Sequence, residues 1–355
     1  MPVLDPDRLV DTLVGNIRKL HTNAGIARAE LDLSGGIDSA AMAGLLVLAL
    51  GADNVTTAFL GINSNPDALD RAQALATALN LKLVRFDGTF LFDKLVEDMI
   101  DALVTAGYDR SEIADRCLAD PTILGSIRST LRAPWGRAAN RLTGGGIRHG
   151  TGNEDEDRWV RFYQKGGDGE VDTNPISMLS KGEVYQLARA LGRRLSAVDA
   201  YERIIQATPS ADLWGVGDKH NDESEIGNYL GVKGYPYYSY IDANDNYRTV
   251  GLIERVSRWL DRVAEHATIY CTNADVLFYD DVGEWEIDRV IRDAEQAPEF
   301  VGIDPKDIDA LLRSARRIER TTRHKMNPNC PTLTDRADLV ARGILTNDLS
   351  TDISR

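Results

Sequence analysis

Ser34-Gly35-Gly36-Ile37-Asp38-Ser39 stands between two apolar runs, Ala29 to Leu33 and Ala40 to Leu50. The first has the length of a strand and the second that of a helix. A glycine pair flanked by hydroxyls at such a junction lets backbone N–H groups close around an anion. The Ser34 and Ser39 hydroxyls add donors. Asp38, a carboxylate among anion ligands, makes chemical sense when a divalent cation comes too. The motif is not the Walker loop, which has a longer glycine spacing and a Lys before its Ser/Thr. The plain alternative is an ordinary glycine-rich turn ahead of a helix.

On either side of this loop the chain alternates. Asp5 and Pro6 open a helix whose stripe is Leu9, Val10, Leu13, Val14, Ile17 and Leu20. After the loop helix come a strand at Val55–Leu60, a helix opened by Asn65 and Pro66, and a strand at Leu81–Phe86. The βαβαβ order predicts an α/β fold with a doubly wound parallel sheet, helices on both faces and ligand beyond the carboxyl ends of the strands. The chain then reads as helical to about Leu142, with a fourth strand at Ile147–His149. Gly166-Gly167-Asp168-Gly169 reads as a mobile loop. Helix is expected again from Pro175, from Leu252 to Ala264 and from Pro305 to Thr321, giving a helical C-terminal part. Four regions are expected: an α/β domain over 1–227, a Tyr-rich insertion over 228–283, helices returning to the site over 284–325, and a weakly structured tail over 326–355.

The 355 residues include 43% hydrophobic ones, enough for a full core, and the net charge is −14 with a pI near 4.9. So acidic a chain disfavours a nucleic-acid partner. Cys117, Cys271 and Cys330 are odd in number and far apart, which suggests free thiols in a reducing compartment rather than disulfides or zinc. No run of 18 apolar residues and no charged-then-apolar leader occurs, so a cytoplasmic protein without a membrane association is expected.

The SGGIDS loop resembles the pyrophosphate loop of the ATP pyrophosphatase superfamily, whose members split ATP between the α and β phosphates. Six further islands, in order, resemble motifs of the ammonia-dependent NAD synthetases. Gly150-Thr151-Gly152-Asn153-Glu154-Asp155-Glu156 is similar to their GTGNxxE, and residues 162–172 (FYQKGGDGEVD) to their FTKYGDGGxD loop. Pro175 to Lys181 (PISMLSK), residues 209–214 (PSADLW), residues 222–227 (DESEIG) and Thr322-Arg323-His324-Lys325 (TRHK) complete the set. The resemblance implies an adenine nucleotide α-hydrolase-like fold and amide synthesis in two steps. A substrate carboxylate, in that family deamido-NAD, attacks the α-phosphorus of ATP and releases pyrophosphate. Ammonia then attacks the acyl-adenylate and AMP leaves. Adenylation is needed because hydroxide is a poor leaving group at neutral pH.

The resemblance also implies roles, with Asp38, Lys181, His324 and Lys325 at the centre of the chemistry. Ser34, Gly35, Gly36, Ile37, Asp38 and Ser39 would hold the phosphates, with Thr151, Lys181 and Ser210 also at ATP. Asp38 and Glu156 would hold Mg²⁺. Arg132, Lys165, Asp172, His324 and Lys325 fall at positions for the acid substrate. Counting forward from Thr151 selects Glu156 as the second metal ligand, whereas counting back from Lys165 selects Asp157. Glu156 is taken here. The run Glu154-Asp155-Glu156-Asp157 also reads as a solvated charged face, and Lys181 as a solvated lysine at a helix start. The basic run from Arg313 to Lys325 equally suits a helix C-terminus.

Three departures stand out. The family arginine expected to face the acid is Thr130, leaving Arg132; the glycine loop differs at Gln164, Gly166 and Glu170; and the region after Gly227 is longer and rich in Tyr. These departures raise a second possibility, an adenylating amide ligase for another carboxylic acid. A further alternative, a non-catalytic nucleotide-binding module, fits the retained polar residues less well. Glutamine-using relatives carry an N-terminal glutaminase domain with a Cys nucleophile. Only 33 residues precede Ser34 and none is Cys, so free ammonia, or ammonia from a separate glutaminase, is expected. A homodimer is implied by resemblance alone.

Overall fold

The computed structural model describes residues 3–120, 122–158, 161–207, 254–259, 291–297, 300, 303–322, 325 and 336–347, and structural statements below concern these. The Tyr-rich stretch at 229–247 and the motifs at 209–214 and 222–227 lie outside them.

Helix α1 (Pro6–Ala24) starts where Asp5 accepts the Arg8 N–H at 2.9 Å, and it buries Leu9, Val10, Leu13, Val14 and Ile17. Then follow β1 (Ala29–Asp32), α2 (Ile37–Leu50), β2 (Val55–Gly61), α3 (Pro66–Ala78) and β3 (Leu83–Asp87). Helices α4 (Thr89–Thr105), α5 (Arg110–Ala119) and α6 (Thr122–Leu142) lead to β4 (Ile147–His149). The strands form one parallel sheet in the order β3-β2-β1-β4. The chain first grows from β1 to β3, then returns to lay β4 on the other side of β1. The loops after β1 and β4 therefore flank the point where the winding reverses, the place where such sheets bind ligands.

Alternation along β1 sorts the two faces. Ala29 and Leu31 join the apolar core made with α1, α2, α8 (Lys181–Arg194) and α9 (Val198–Ile205). Glu30 and Asp32 point the other way, toward α6, and meet Arg148 of β4. Arg148 Nη1 donates to both Glu30 carboxylate oxygens at 2.8 Å, and Nη2 to Asp32 Oδ2 at 2.5 Å. Burial, and then the Asp32 charge, push Glu30 up to about 8. Position 136 of α6 must be glycine for the guanidinium to fit: a Cβ there would lie 2.0 Å from Arg148 Nη1.

Helix α2 begins at Ile37, three residues before the apolar run predicts, because the phosphate-type loop feeds directly into it. Helix α8 begins at Lys181, not at Pro175. Ser180 caps it in a capping box with Glu183, so residues 175–179 form turns instead. The expected weakly structured tail also differs in part. Residues 336–347 include helix α11 (Arg336–Ala341), following α10 (Pro305–Thr322), and they bury Leu339, Ile344 and Leu345. Leu345 pairs with Val3 in an antiparallel bridge, tying this segment to the N-terminal end.

Candidate active site

The 34–39 loop closes on itself. Ser34 Oγ and Ser39 Oγ lie 3.1 Å apart, Gly36 N donates to Ser34 Oγ at 3.3 Å, and Ser39 Oγ donates to Gly36 O at 3.0 Å. Gly35 has a φ of +79°, and a Cβ there would stand 2.1 Å from the Ala68 carbonyl oxygen of α3. Arg71 Nε donates to Gly35 O at 3.0 Å, which fixes that peptide. Gly36, the N-cap of α2, offers no side chain to its amides. The 14-residue helix thus presents its positive end and unpaired N–H groups beside the two serine hydroxyls.

Opposite this loop, Asn153 caps the one-turn helix α7 (Glu154–Asp157) through Oδ1, which accepts from Asp155 N at 3.0 Å and Glu156 N at 3.3 Å. The four consecutive acids do not form a solvated face. Glu154 is fully buried, pairs with Arg158 at 2.9 Å, and also pairs with Arg258 and Arg336. Asp155 Oδ2 accepts the backbone N–H of Lys181 at 3.0 Å, and burial, then the Glu254 charge, push it well up. Asp157 turns inward onto Asn174 Nδ2 at 2.8 Å and packs against Gly152. Burial likewise pushes it well up. Glu156 alone faces Asp38.

These two carboxylates share two donors. Lys181 Nζ donates to Asp38 Oδ2 at 2.7 Å and to Glu156 Oε1 at 2.8 Å. Asn153 Nδ2 donates to Asp38 Oδ1 at 3.1 Å and to Glu156 Oε1 at 2.8 Å. Lys181 is 2% exposed and so not the solvated lysine of the plain reading. Two converging carboxylates that already hold one ammonium suit a hard divalent cation as well. Among the described residues no group of three or more His, Cys, Asp or Glu side chains is arranged for a metal.

The positions expected at the acid substrate are more dispersed. Thr151, expected at ATP, follows β4 directly into the site loop and is half-buried. Arg132 Nε donates to Leu60 O at 3.2 Å, at the end of β2, while Thr130 is exposed on α6 and donates to Ser126 O. Asp172 Oδ2 accepts Arg148 N at 2.8 Å, and its other oxygen lies 3.5 Å from Arg137. Lys165 is exposed. The glycine loop is built into turns: Asp168 Oδ1 accepts from Ser129 Oγ at 2.7 Å and from Gln164 N at 2.8 Å. Lys325 Nζ donates to the carbonyls of Arg161 at 2.8 Å and Tyr163 at 2.7 Å, so it ties the C-terminal segment to this loop. Burial lowers its pKa. Ser210 and His324 lie outside the described residues.

Sequence reasoning gave no role to Asn153, although it stands inside the GTGN island. It also missed Arg258 and Arg336, for which no local signal exists. Nor did it find the buried pair His21 and His149, whose Nε2 atoms lie 3.0 Å apart beneath the β4 end of the site.

The doubly wound sheet with its loops at the switch point, together with its likeness in fold to a solved synthetase, places the chain in the adenine nucleotide α-hydrolase-like fold class. A family model described as NAD synthase matches residues 9–252, and the chain belongs to that family, whose members are ATP-using ligases forming C–N bonds. An NH₃-dependent NAD⁺ synthetase of Archaeoglobus fulgidus is 32% identical over 225 residues, covering 62% of this chain and 78% of that protein. One from Halobacterium salinarum is 35% identical over 218 residues, covering 61% and 71%. The structure of an NMN synthetase from Francisella tularensis is similar in fold, with a TM-score of 0.58 over 94% of this chain and 99% of that one at 20% identity. Among the described residues no helix is long and apolar enough to cross a membrane.

Proposed function

We propose that the chain converts deamido-NAD to NAD with ATP and ammonia. The substrate carboxylate oxygen attacks the α-phosphorus, and the α–β bridging bond breaks with its electron pair leaving on pyrophosphate. Ammonia then attacks the acyl carbon, loses a proton, and the carbon–oxygen bond to AMP breaks. The observation that carries this reading is the meeting of Asp38, Glu156 and Lys181 at the mouth of the serine-glycine loop.

In this reading Ser34, Gly35, Gly36, Ile37 and Ser39 hold the departing pyrophosphate through the backbone N–H groups at the start of α2, with the two serine hydroxyls turning from their contacts inside the loop to donate as well. Asp38 and Glu156 would hold Mg²⁺, which would neutralise charge on the phosphates when bound. Lys181, held between Asp38 and Glu156, would also serve ATP. Thr151 and Ser210 serve ATP. Arg132, Lys165, Asp172, His324 and Lys325 serve the acid. Ammonia is the nitrogen source, either free or delivered by a separate glutaminase.

A homodimer is part of the proposal. Helix α4 buries only Phe92 and exposes Phe90, Leu91, Leu95 and Met99, and β3, which precedes it and is an edge strand among the described residues, exposes Val84 and Phe86. An apolar face of this kind marks an interaction surface. Size-exclusion chromatography with light scattering reads the state directly; a monomer at micromolar concentration, with Leu95→Lys unchanged, removes this part.

A second reading concerns only the acid. Thr130 in place of an arginine, and a Lys325 ammonium already held by two carbonyls, favour a different carboxylate substrate. The test measures pyrophosphate and AMP from ATP, Mg²⁺ and ammonia with deamido-NAD, nicotinic acid mononucleotide, nicotinic acid and unrelated acids. Turnover of deamido-NAD, lost in Asp38→Asn, supports the main reading. Turnover of another acid alone moves the chain to the second, and AMP formation with none removes both.

A further inference from the structure

Arg336 lies outside the family-matched residues 9–252, yet it touches both elements that carry the site. It is 2% exposed and uses its whole guanidinium. Nη1 and Nη2 grip Glu183 Oε2 and Oε1 at 2.7 and 2.9 Å, and Nη1 lies 3.7 Å from Glu154 Oε2. The remaining donors go to Met178 O at 3.3 Å, Thr346 O at 3.1 Å and Asn347 Oδ1 at 3.0 Å.

The two acids it joins are not incidental. Glu183 closes the capping box of α8, accepting Ser180 N at 2.9 Å, and Lys181 is the first residue of that helix. Glu154 opens α7, two residues before Glu156, and its N–H donates to Leu179 O at 2.7 Å. Lys181 and Glu156 thus stand on α8 and on the one-turn α7, each of which turns a buried carboxylate toward the Arg336 guanidinium.

Resting on the proposed reaction, we infer that Arg336 is a positioning residue: it holds α7 and α8 in the register at which Asp38, Glu156 and Lys181 converge. Arg258 also pairs with Glu154, so loss of Arg336 falls first on Glu183. An uncompensated buried carboxylate there either takes up a proton or loosens the first turn of α8, and in both cases Lys181 moves. Arg336→Lys keeps the charge but replaces a planar fork with a point charge, which serves one acid at a time.

The test uses the full chain. Mn²⁺ binding in the presence of ATP is titrated by electron paramagnetic resonance, and the Mg²⁺ dependence of pyrophosphate release is measured per mole of folded protein. Outer residues that orient metal ligands are worth about 10–100-fold in metal affinity. Arg336→Gln should weaken Mn²⁺ binding and raise the Mg²⁺ requirement by about tenfold, with Arg336→Lys between it and wild type. A purely structural arginine would lower thermal stability and the yield of active protein but leave both metal constants unchanged, and that outcome overturns the inference. Should Arg336→Gln not fold, the pair Glu183→Gln/Arg336→Gln, which removes one charge of each sign, is read in the same way. Absence of pyrophosphate release from wild type with every acid would sink the reaction, whereas unchanged Mn²⁺ binding in the variants would sink the role of Arg336 alone.

Discussion

Lys181 Nζ donates to Asp38 Oδ2 at 2.7 Å across a sequence separation of 143 residues, and it does so with the side chain almost wholly buried. The ammonium therefore sits against the same carboxylates that suit a divalent cation. A divalent cation entering there without nucleotide would have to displace the ammonium.

Replacing Lys181 should accordingly move two measurements in opposite directions. Lys181→Met is expected to cut pyrophosphate release by about 10²–10³-fold, the scale for losing a preorganised donor at developing charge. The same variant should bind Mn²⁺ more tightly than wild type without ATP, because the competing cation is gone. Weaker nucleotide-free Mn²⁺ binding in the variant would show that Lys181 supports the carboxylates instead of occupying their site.

Gly35 allows no side chain. Its φ of +79° costs an L-residue strain, and the Cβ would meet the Ala68 carbonyl at 2.1 Å. Gly35→Ala should lose roughly 1–3 kcal/mol of stability. It should also lose most ATP turnover, because relief requires α3 or the loop to shift. Denaturant melts and pyrophosphate assays at equal folded fraction check both.

Tyr201 makes a matched constraint within the core. Its hydroxyl donates to Ala40 O at 3.0 Å, and a Cβ on Gly44 would lie 2.2 Å from that hydroxyl. Gly44→Ala should destabilise by about 1–3 kcal/mol through overpacking. Adding Tyr201→Phe should recover part of that loss, giving a non-additive double-mutant cycle. Simple additivity would mean that the methyl is accommodated by a movement of α2.

The histidine pair predicts a pH dependence. His21 Nδ1 lies 2.8 Å from Ile26 O and so carries the proton, which leaves His21 Nε2 to accept from His149 Nε2–H at 3.0 Å. Burial, then the His21 charge, lower His149 to about 3, and burial lowers His21 as well. A histidine depressed in the folded state contributes stability above its unfolded value of about 6.5 and loses it as pH falls toward the folded value. Each such site costs about 1.4 kcal/mol per pH unit below that point. Thermal melts of wild type should drop faster between pH 6.5 and about 5 than those of His149→Gln. Parallel curves would exclude the pair as the source.

Much of the architecture was legible because it is local. The glycine spacing of the 34–39 loop, the Asp5 and Asn65 caps, and the apolar runs of β1, α2 and β2 each depend on residues a turn or a strand apart. One of the shifts, α8 starting at Lys181 and not Pro175, was also written locally, in the Ser180 and Glu183 box. The acidic run 154–157 was different. Four like residues in a row carry no local mark of which is solvated, which is paired, and which faces a ligand.

By itself, then, the amino-acid order determined the α/β class, the anion-binding loop and the family, since short-range sterics and hydrogen bonding specify them. Only the tertiary structure decided that Glu156 faces Asp38 while Asp157 turns to Asn174, that Lys181 is buried between carboxylates, and that Arg336 reaches Glu183. The energy of a charged group is set by the other charges and the solvent around it. Those surroundings come from segments as far as 153 residues apart, and exist only once the chain has folded.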